Sequence, residues 1–197
     1  MEELRVFTDC LKAEAKAICD SANTFGEEIA DALNLMFNCQ GKIVVTGVGK
    51  SGHVGRKIAA SLSSTGTPAV FMHATEGVHG DLGMVSEIDV IILISNSGET
   101  EEVLNLLPSL KQIGCKKIAL TRNRDSHLAQ NCEASIIYAY EKEADHLTLA
   151  PTVSSTLTLA IGDALAVTLS KMKNFTSKQF HLYHPGGSLG KQLEKKE

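Results

Sequence analysis

Residues 90–100 read Val-Ile-Ile-Leu-Ile-Ser-Asn-Ser-Gly-Glu-Thr, an unbroken apolar run that gives way at once to hydroxyl side chains and a glycine. Apolar residues then recur at helical spacing from Val103 to Leu110. An unbroken run is typical of a parallel strand buried on both faces, so the pattern predicts a strand, a tight turn and a helix. In open parallel sheets, turns of this kind lie at the carboxyl edge, where ligands bind.

Short apolar runs alternate with amphipathic segments along the rest of the chain. The predicted strands are 42–46, 69–72, 90–94, 117–121 and 134–138, and the predicted helices are 2–20, 26–38, 54–62, 101–112 and 152–171. This alternation predicts a doubly wound α/β fold, a flavodoxin-like three-layer arrangement in which helices flank a five-stranded parallel sheet.

The length of 197 residues predicts one domain over 1–197. Within it we expect N-terminal helices over 2–38, an α/β core over 41–193 and a polar tail over 194–197. The apolar faces of the two N-terminal helices and of the last helix predict a homo-oligomer, most simply a tetramer built from dimers.

Charge and cysteine content exclude some function classes. The formal net charge of -4 gives no electrostatic case for a nucleic-acid partner. No apolar run approaches the length of a membrane span, and the acidic N-terminus is unlike a signal peptide, so we expect no membrane partner and a cytoplasmic location. The five cysteines lack paired spacing and are expected to be free thiols.

The turn over residues 95–100, called the serine turn below, favours an anion. Free backbone N–H groups and the positive end of a helix dipole converge there, and hydroxyls suit a phosphate monoester. The predicted phosphate-binding residues of this turn are Ser95, Asn96, Ser97 and Thr100. The alternative is a simple helix cap, with the neighbouring glutamates complementing the dipole.

Residues 47–52, called the lysine loop below, read Gly-Val-Gly-Lys-Ser-Gly and follow the first predicted strand. The spacing fits a dinucleotide fingerprint, but the next strand runs into His73 where that fold needs an acid for the ribose. A tight strand–helix turn would also give this pattern. We favour a third interpretation, in which the lysine loop faces the serine turn across one crevice. Ser51 then shares the phosphate, Gly49 lines the site and Lys50 supplies a fixed positive charge.

The start of the last helix and the loop before it are also polar. Thr152, Ser154 and Ser155 open the helix, where hydroxyls cap the first turn or contact sugar hydroxyls. Glu143 lies in a charged loop, a pattern more typical of solvated surface than of a site.

Two histidines are ambiguous. His79 lies in a glycine-rich loop after the second strand and is either a proton carrier or a surface residue. His184 precedes Pro-Gly-Gly and is as compatible with a structural role as with catalysis. His79 has no partner histidine at metal-ligand spacing, and we predict no metal and no cofactor, and activity that survives chelation.

Seven segments occur in order. They are Gly-Val-Gly-Lys-Ser-Gly-His, Ser-Thr-Gly-Thr-Pro, His-Gly-Asp-Leu-Gly-Met-Val, Ser-Asn-Ser-Gly-Glu-Thr, Leu-Ala-Pro-Thr-x-Ser-Ser-Thr, Gly-Asp-Ala-Leu-Ala-Val and His-Pro-Gly-Gly-Ser-Leu-Gly. Together they resemble the sugar isomerase (SIS) domain of bacterial arabinose 5-phosphate isomerases over about residues 5–193. The resemblance implies interconversion of ribulose 5-phosphate and arabinose 5-phosphate, which feeds synthesis of Kdo, an acidic sugar of lipopolysaccharide and some capsules.

The resemblance also implies roles for individual residues. Lys50 matches the family's active-site lysine, and Glu102 and Glu143 match its two active-site glutamates. His184 matches an active-site histidine contributed by a neighbouring subunit, and His79 matches a second histidine near the sugar. Family members commonly carry a tandem CBS pair after the last segment, so the resemblance implies a short form or a shortened chain. Feedback by a Kdo-containing product would then act at the sugar site.

Three other functions stay open on the sequence. SIS domains also occur in regulators, so a non-catalytic phosphosugar-binding protein is one alternative. An isomerase of another phosphosugar is a second. A nicotinamide enzyme is the third, and it would need the ribose-binding acid that this chain lacks.

Overall fold

The computed structural model describes residues 1–186, and its five strands form one sheet. The strands are β1 Ile43–Gly47, β2 Ala69–His73, β3 Val90–Ile94, β4 Lys116–Thr121 and β5 Ala134–Ile137. Their order is β2-β1-β3-β4-β5, and neighbouring strands pair in parallel. The predicted sheet is therefore confirmed. The expected polar tail 194–197 and the end of the expected core, 187–193, lie outside the described residues.

Helices cover both faces of this sheet. They are α1 Glu2–Ala22, α2 Glu27–Phe37, α3 Gly49–Ser64, α4 Ala74–Gly77, α5 Glu101–Leu104, α6 Leu107–Ile113, α7 His127–Gln130, α8 Val153–Met172 and α9 Ser177–Tyr183, with a 3-10 turn at Asp81–Met84. Side chains alternate along β3, so that Ile92 packs into the cluster under α1, α2, α3 and α8 while Leu93 packs into the cluster under α5 and α6. Burial on both faces explains why the strand sequences are continuously apolar.

Two predicted helices have different bounds in the structure. The helix expected over 101–112 is divided into α5 and α6, because Pro108 lacks an N–H and its ring would clash with the carbonyl of Leu104 if one helix continued. The helix expected over 54–62 begins earlier, at Gly49, where φ is +54°. The lysine loop therefore forms the first turn of α3. The short helices α7 and α9 were not predicted.

The helix α8 organises one layer of the fold. It packs closely on α3 at Gly162, where an added Cβ would lie 2.3 Å from Cγ1 of Ile58. By length and composition α8 is sufficient to cross a membrane, which the sequence-based expectation overlooked, but half of it is buried inside the protein. A buried core helix can have the same length and composition as a membrane-spanning helix. The close packing brings the N-terminal ends of α3 and α8 to the same side of the sheet.

The amino-terminal edge of the sheet carries two ion pairs. Asp89, 2% exposed, accepts hydrogen bonds from the Lys42 backbone N–H and Nζ, both at 2.8 Å, and from the N–H and hydroxyl of Ser86 at 2.8 and 2.9 Å. Glu133 accepts from the Lys117 N–H at 2.6 Å and Nζ at 2.9 Å. Burial alone would raise the pKa of Asp89, but these hydrogen bonds outweigh it and lower that pKa.

Candidate active site

A cleft of about 210 Å³ lies at the carboxyl edge of the sheet. It is lined by Val48, Lys50, Ser51, Val54, Asn96, Tyr138, Pro151, Ser154, Ser155 and Thr158. Three segments singled out in the sequence thus meet: the lysine loop, the serine turn and the start of α8. An ammonium group, hydroxyls and a helix N-terminus around one cleft suit a phosphate-carrying polyol.

Ser95 shapes the serine turn from inside. It is 1% exposed, and its Oγ lies 2.7 Å from Oγ1 of Thr100 and accepts the Gly98 N–H at 3.0 Å. Ser97 is exposed, and its Oγ accepts the N–H of Glu99 at 3.1 Å. Of these hydroxyls, that of Ser97 is therefore the most accessible to a ligand.

The serine turn is fixed against the start of α7. Gly98 has a φ of +72°, and an added Cβ would lie 2.1 Å from Oγ of Ser126. Its carbonyl accepts the Leu128 N–H at 3.1 Å. The Glu99 carboxylate accepts the His127 N–H at 2.9 Å and lies 2.7 Å from His127 Nδ1. The backbone hydrogen bond from His127, followed by the ring contact, lowers the pKa of Glu99.

The serine turn and the lysine loop lead into helices of unequal length. The serine turn leads into α5, which has only 4 residues, whereas the lysine loop forms the N-terminus of α3, which has 16. Because a helix dipole accumulates over aligned peptides, the larger positive end belongs to the lysine loop. The expectation of one long helix after the serine turn was wrong, because Pro108 interrupts that helix.

Glu143 caps α8 and is not a solvated surface residue. It is 8% exposed, and its Oε2 accepts the Thr152 N–H at 2.8 Å, the Thr152 hydroxyl at 3.1 Å and the Ser154 N–H at 3.2 Å. Burial alone would raise the pKa of Glu143, but hydrogen bonds from Ser154, Thr152 and Tyr140 outweigh it and lower that pKa. The carboxyl group is therefore ionised at neutral pH.

The hydroxyls at the start of α8 already have partners within the protein. Thr152 Oγ1 donates to Glu143 and accepts the Ala144 N–H at 2.9 Å. Ser155 Oγ lies 3.0 Å from the carbonyl oxygens of Pro151 and of Thr152. The Thr152 side chain makes no capping hydrogen bond to α8, so the capping predicted for these hydroxyls is supplied instead by Glu143, which accepts the Thr152 and Ser154 N–H groups.

Four predicted catalytic residues do not line the cleft. One of them, Glu143, lines a neighbouring hollow of about 220 Å³. Glu102 is exposed on α5, and His79 is exposed in the loop after α4. His184 is half-buried at the end of α9, where its ring stacks on Phe180 with centroids 4.0 Å apart and its Nδ1 lies 2.9 Å from the Phe180 carbonyl oxygen. Their predicted roles stay predictions. Within residues 1–186 no three His, Cys, Asp or Glu side chains could hold a metal together.

Two tyrosines at this edge were missed by the sequence reasoning. Tyr138 donates to Asn96 Oδ1 at 3.1 Å, and Asn96 Nδ2 donates to the Tyr140 hydroxyl at 3.0 Å. The Asn96 amide is thus occupied by tyrosines, although sequence reasoning gave it to the phosphate. A signal was present, since two of the chain's three tyrosines leave the last strand at spacing i, i+2.

Two hollows more than three times as large as the cleft lie elsewhere. One of about 740 Å³ lies at the amino-terminal edge and includes Asp89, and another of about 700 Å³ lies between α6 and α7. Neither contains a residue that the sequence singled out for chemistry. The concentration of hydroxyls and the ammonium group, and not the volume, identifies the candidate site.

Comparison with known proteins agrees with this geometry. Residues 36–168 match the SIS domain family. The chain is 53% identical over 161 residues to arabinose 5-phosphate isomerase KpsF of Escherichia coli, covering 82% of this chain and 51% of that protein. The chain belongs to the SIS domain family. This SIS domain is also 45% identical over 180 residues to arabinose 5-phosphate isomerase KdsD of Pseudomonas aeruginosa, covering 91% of this chain and 55% of that protein.

A solved structure shares the whole architecture of this SIS domain. The structure of E. coli CFT073 c3406 in complex with arabinose 5-phosphate has a TM-score of 0.91 and 48% identity, covering 93% of this chain and 98% of that chain. The family and fold expected from the seven segments are therefore confirmed. The chain spans about half the length of the curated relatives it matches.

Proposed function

We propose that this SIS domain is an aldose–ketose isomerase that interconverts D-ribulose 5-phosphate and D-arabinose 5-phosphate. The cleft that joins Lys50 and Ser51 to the start of α8 is the observation that carries the proposal. The similarity of this SIS domain to a protein solved with arabinose 5-phosphate supports the choice of sugar. The product would supply Kdo synthesis for lipopolysaccharide or capsule, in the cytoplasm, where sugar phosphates are made and used.

The reaction moves one proton between C1 and C2 and another between two oxygens, through an enediolate. Phosphate binding at Ser51 and Ser97, with the rest of the serine turn, anchors the far end of the sugar, so that its binding energy orients the reacting end. Lys50, an exposed cation in the first turn of α3, stabilises negative charge on the enediolate oxygen.

The proton carriers are the groups that ionise near this edge. Glu102 or His184 moves the carbon-bound proton, and His79 or His184 assists opening of the cyclic sugar. Glu143 is ionised and held by the first turn of α8, so it acts as a fixed acceptor or a base and not as an acid. The reaction needs no metal or nicotinamide, because only protons are transferred.

The position of His184 supports a site that is shared between subunits. Within its own chain its ring packs on Phe180, away from the lining of the cleft. Large apolar side chains are exposed along α1, namely Leu4, Val6, Phe7 and Leu11. Burial of these side chains favours a homo-oligomer, which we propose to be a tetramer. In this assembly His184 completes the cleft of a neighbouring subunit. We also propose that a Kdo-containing product competes with the sugar for the cleft.

The direct test is to incubate the protein with ribulose 5-phosphate in D2O and to follow arabinose 5-phosphate by NMR. We expect arabinose 5-phosphate to accumulate to equilibrium with deuterium at C2, since the enediolate exchanges its proton with solvent. Binding of the sugar without conversion would favour a phosphosugar sensor. Conversion of a different phosphosugar alone would replace the proposed substrate.

The shared site has its own test. Glu102→Gln and His184→Ala are each expected to be inactive alone, and mixing them under conditions of subunit exchange should restore part of the activity. Heteromers would contain some clefts with both residues intact. If mass spectrometry shows exchange and no activity returns, the site is not shared.

A further inference from the structure

Arg122 is the first residue after β4, and it lies beside the serine turn. Its backbone N–H donates to the carbonyl oxygen of Asn96 at 3.1 Å. The Arg122 guanidinium carbon lies 4.5 Å from the centre of the Tyr140 ring, a cation–π geometry. The Tyr140 hydroxyl accepts from Asn96 Nδ2 at 3.0 Å and donates to Asn96 Oδ1 at 3.3 Å. The backbone of Arg122 and the ring under its side chain are therefore both attached to the serine turn.

We propose that Arg122 is a binding residue that supplies positive charge to a phosphate monoester held at the serine turn. The proposal rests on the proposed function, in which this turn anchors the phosphate of a sugar. It adds a guanidinium to an anchor that otherwise consists of hydroxyls and backbone N–H groups.

The serine turn by itself is poorly suited to a dianion. Three exposed carboxylates lie at its end and directly after it, those of Glu99, Glu101 and Glu102. The helix α5 behind the turn has only 4 residues, so its dipole offsets little of this negative charge. A phosphate monoester carries about 1.5 to 2 negative charges at neutral pH. Its binding at this turn therefore calls for a cation.

The cations around the turn differ in what already occupies them. Nδ1 of His127 lies 2.7 Å from the Glu99 carboxylate, and Lys50 lines the cleft, where the proposed function assigns it to the enediolate. Arg124 is exposed, and its side chain makes no hydrogen bond or ring contact with the described part of the chain. Arg122 forms no ion pair with any carboxylate among residues 1–186, yet it is fixed beside the turn. Arg122 is therefore the cation that is both available and positioned.

The chemistry of the side chain suits this role. A guanidinium donates two parallel hydrogen bonds to a phosphate, which an ammonium cannot do. Arg122 does not itself line the cleft, but a cation–π contact at an exposed position is weak, so the guanidinium can exchange Tyr140 for a phosphate at little cost. Burial raises the pKa of Tyr138 to about 12, and the charge of Arg122 opposes this rise. Because Tyr138 lines the cleft, the charge of Arg122 acts on the cleft from its present position.

The test measures binding of D-arabinitol 5-phosphate, a sugar phosphate that has no carbonyl group and therefore cannot be isomerised. Calorimetry on the 197-residue protein gives its dissociation constant at several salt concentrations. We expect Arg122→Met to raise this constant about tenfold, the lower end for a lost hydrogen bond to a charged group. The constant should also depend less on salt, because one attractive charge is gone. Arg122→Lys should keep the salt dependence of the native protein and lose less affinity.

Arg124→Met is the matched control, because it removes an equal charge from the same loop without removing a contact to the serine turn. Its dissociation constant should stay within about twofold of the native value, since solvent screens an exposed charge that does not contact the ligand. Unchanged affinity in Arg122→Met would overturn the proposal, and so would equal losses in the two methionine variants. A loss in Arg122→Met with an unchanged salt dependence would also overturn it, because Arg122 would then only shape the turn through Tyr140.

Conversion of ribulose 5-phosphate is measured separately on the same samples. If the native protein binds arabinitol 5-phosphate but converts no sugar, the proposed isomerase function fails, while the calorimetry still decides the role of Arg122. If the native protein converts ribulose 5-phosphate and Arg122→Met binds the analogue as tightly as the native protein, the role of Arg122 fails and the isomerase function stands. If the native protein does not bind the analogue, the phosphate anchor and the role of Arg122 are both wrong.

Discussion

At the amino-terminal edge of the sheet the buried carboxylate of Asp89 has four donors, whereas at the opposite edge Lys50 forms no ion pair with any residue from 1 to 186. Lys50 also lies in the first turn of α3, where the helix dipole repels a cation. A charge that is unpaired and unfavourably placed is not retained for stability. The two edges therefore separate groups that hold the fold from groups available to a ligand.

The largest effect is expected from Asp89→Ala at the amino-terminal edge. The substitution leaves the Lys42 ammonium and two backbone N–H groups without their acceptor, and breaking a buried pair of this kind costs about 3–5 kcal/mol. Urea unfolding followed by circular dichroism measures the free energy of unfolding. Turnover per folded molecule should be unchanged, and a loss of turnover larger than the loss of folded protein would contradict the separation of the two edges.

Lowering the pH should remove the contribution of Asp89 to the free energy of unfolding. Because the folded pKa of Asp89 is lowered from its ordinary value of 3.8, the stabilisation is fully present above that value and is lost as pH falls through the folded pKa. Unfolding free energies measured between neutral pH and pH 2 should fall more steeply in the native protein than in Asp89→Ala. Parallel curves would assign the acid sensitivity to other carboxyl groups.

Lys50→Met is expected to lower turnover and to leave stability almost unchanged, which is the converse of the effect expected for Asp89→Ala. Removing the charge that stabilises the enediolate should lower kcat by about 10²–10³-fold, as for other lost charge-stabilising donors. The free energy of unfolding should change by no more than about 0.5 kcal/mol, because the side chain is exposed and its charge opposes the helix dipole. Lys57→Met, on the same helix but outside the cleft lining, is the matched control and should keep its turnover. Equal losses in both variants would remove the special role of Lys50.

Those two edges were not equally predictable from the sequence. The strands follow from apolar runs such as 90–94, because burial on both faces leaves no room for polar alternation. The capping of α8 by Glu143 was not predictable. The backbone N–H groups that donate to it belong to Thr152 and Ser154, nine and eleven residues further along the chain, and their positions depend on where α8 begins. The contact of Asn96 with Tyr140 joins residues 44 apart and exists only in the folded protein. Pro108, in contrast, marked the break between α5 and α6 in the sequence itself.

A smaller effect is expected within the carboxyl edge from Ser97→Ala. The exposed hydroxyl is a donor to phosphate in our proposal, and losing a hydrogen bond to a charged group costs about 1.5–3 kcal/mol of binding free energy. This corresponds to a rise of about 10- to 150-fold in the dissociation constant of the sugar phosphate, measured by calorimetry. Ser135→Ala, on β5 away from the cleft lining, is a control. Unchanged affinity with an intact fold would move the phosphate site elsewhere.

The smallest effect is expected from Glu99→Gln, which tests whether an exposed carboxylate–imidazole contact at the carboxyl edge behaves like the buried ion pair at the other edge. Glutamine keeps an oxygen for the His127 N–H but loses the charge opposite the ring, and exposed pairs contribute little, so KM should rise by less than about fivefold. Salt should raise the KM of both proteins, because it screens the charges that attract the phosphate, and by similar factors if the contact of Glu99 with His127 contributes little. The lowered pKa of Glu99 keeps the carboxylate ionised somewhat below its ordinary value of 4.5, so the difference between the two proteins should vanish only at lower pH. A rise in KM as large as that of Ser97→Ala would show that the serine turn depends on this pair for its shape and not on the hydrogen bonds of Ser95, Gly98 and Thr100.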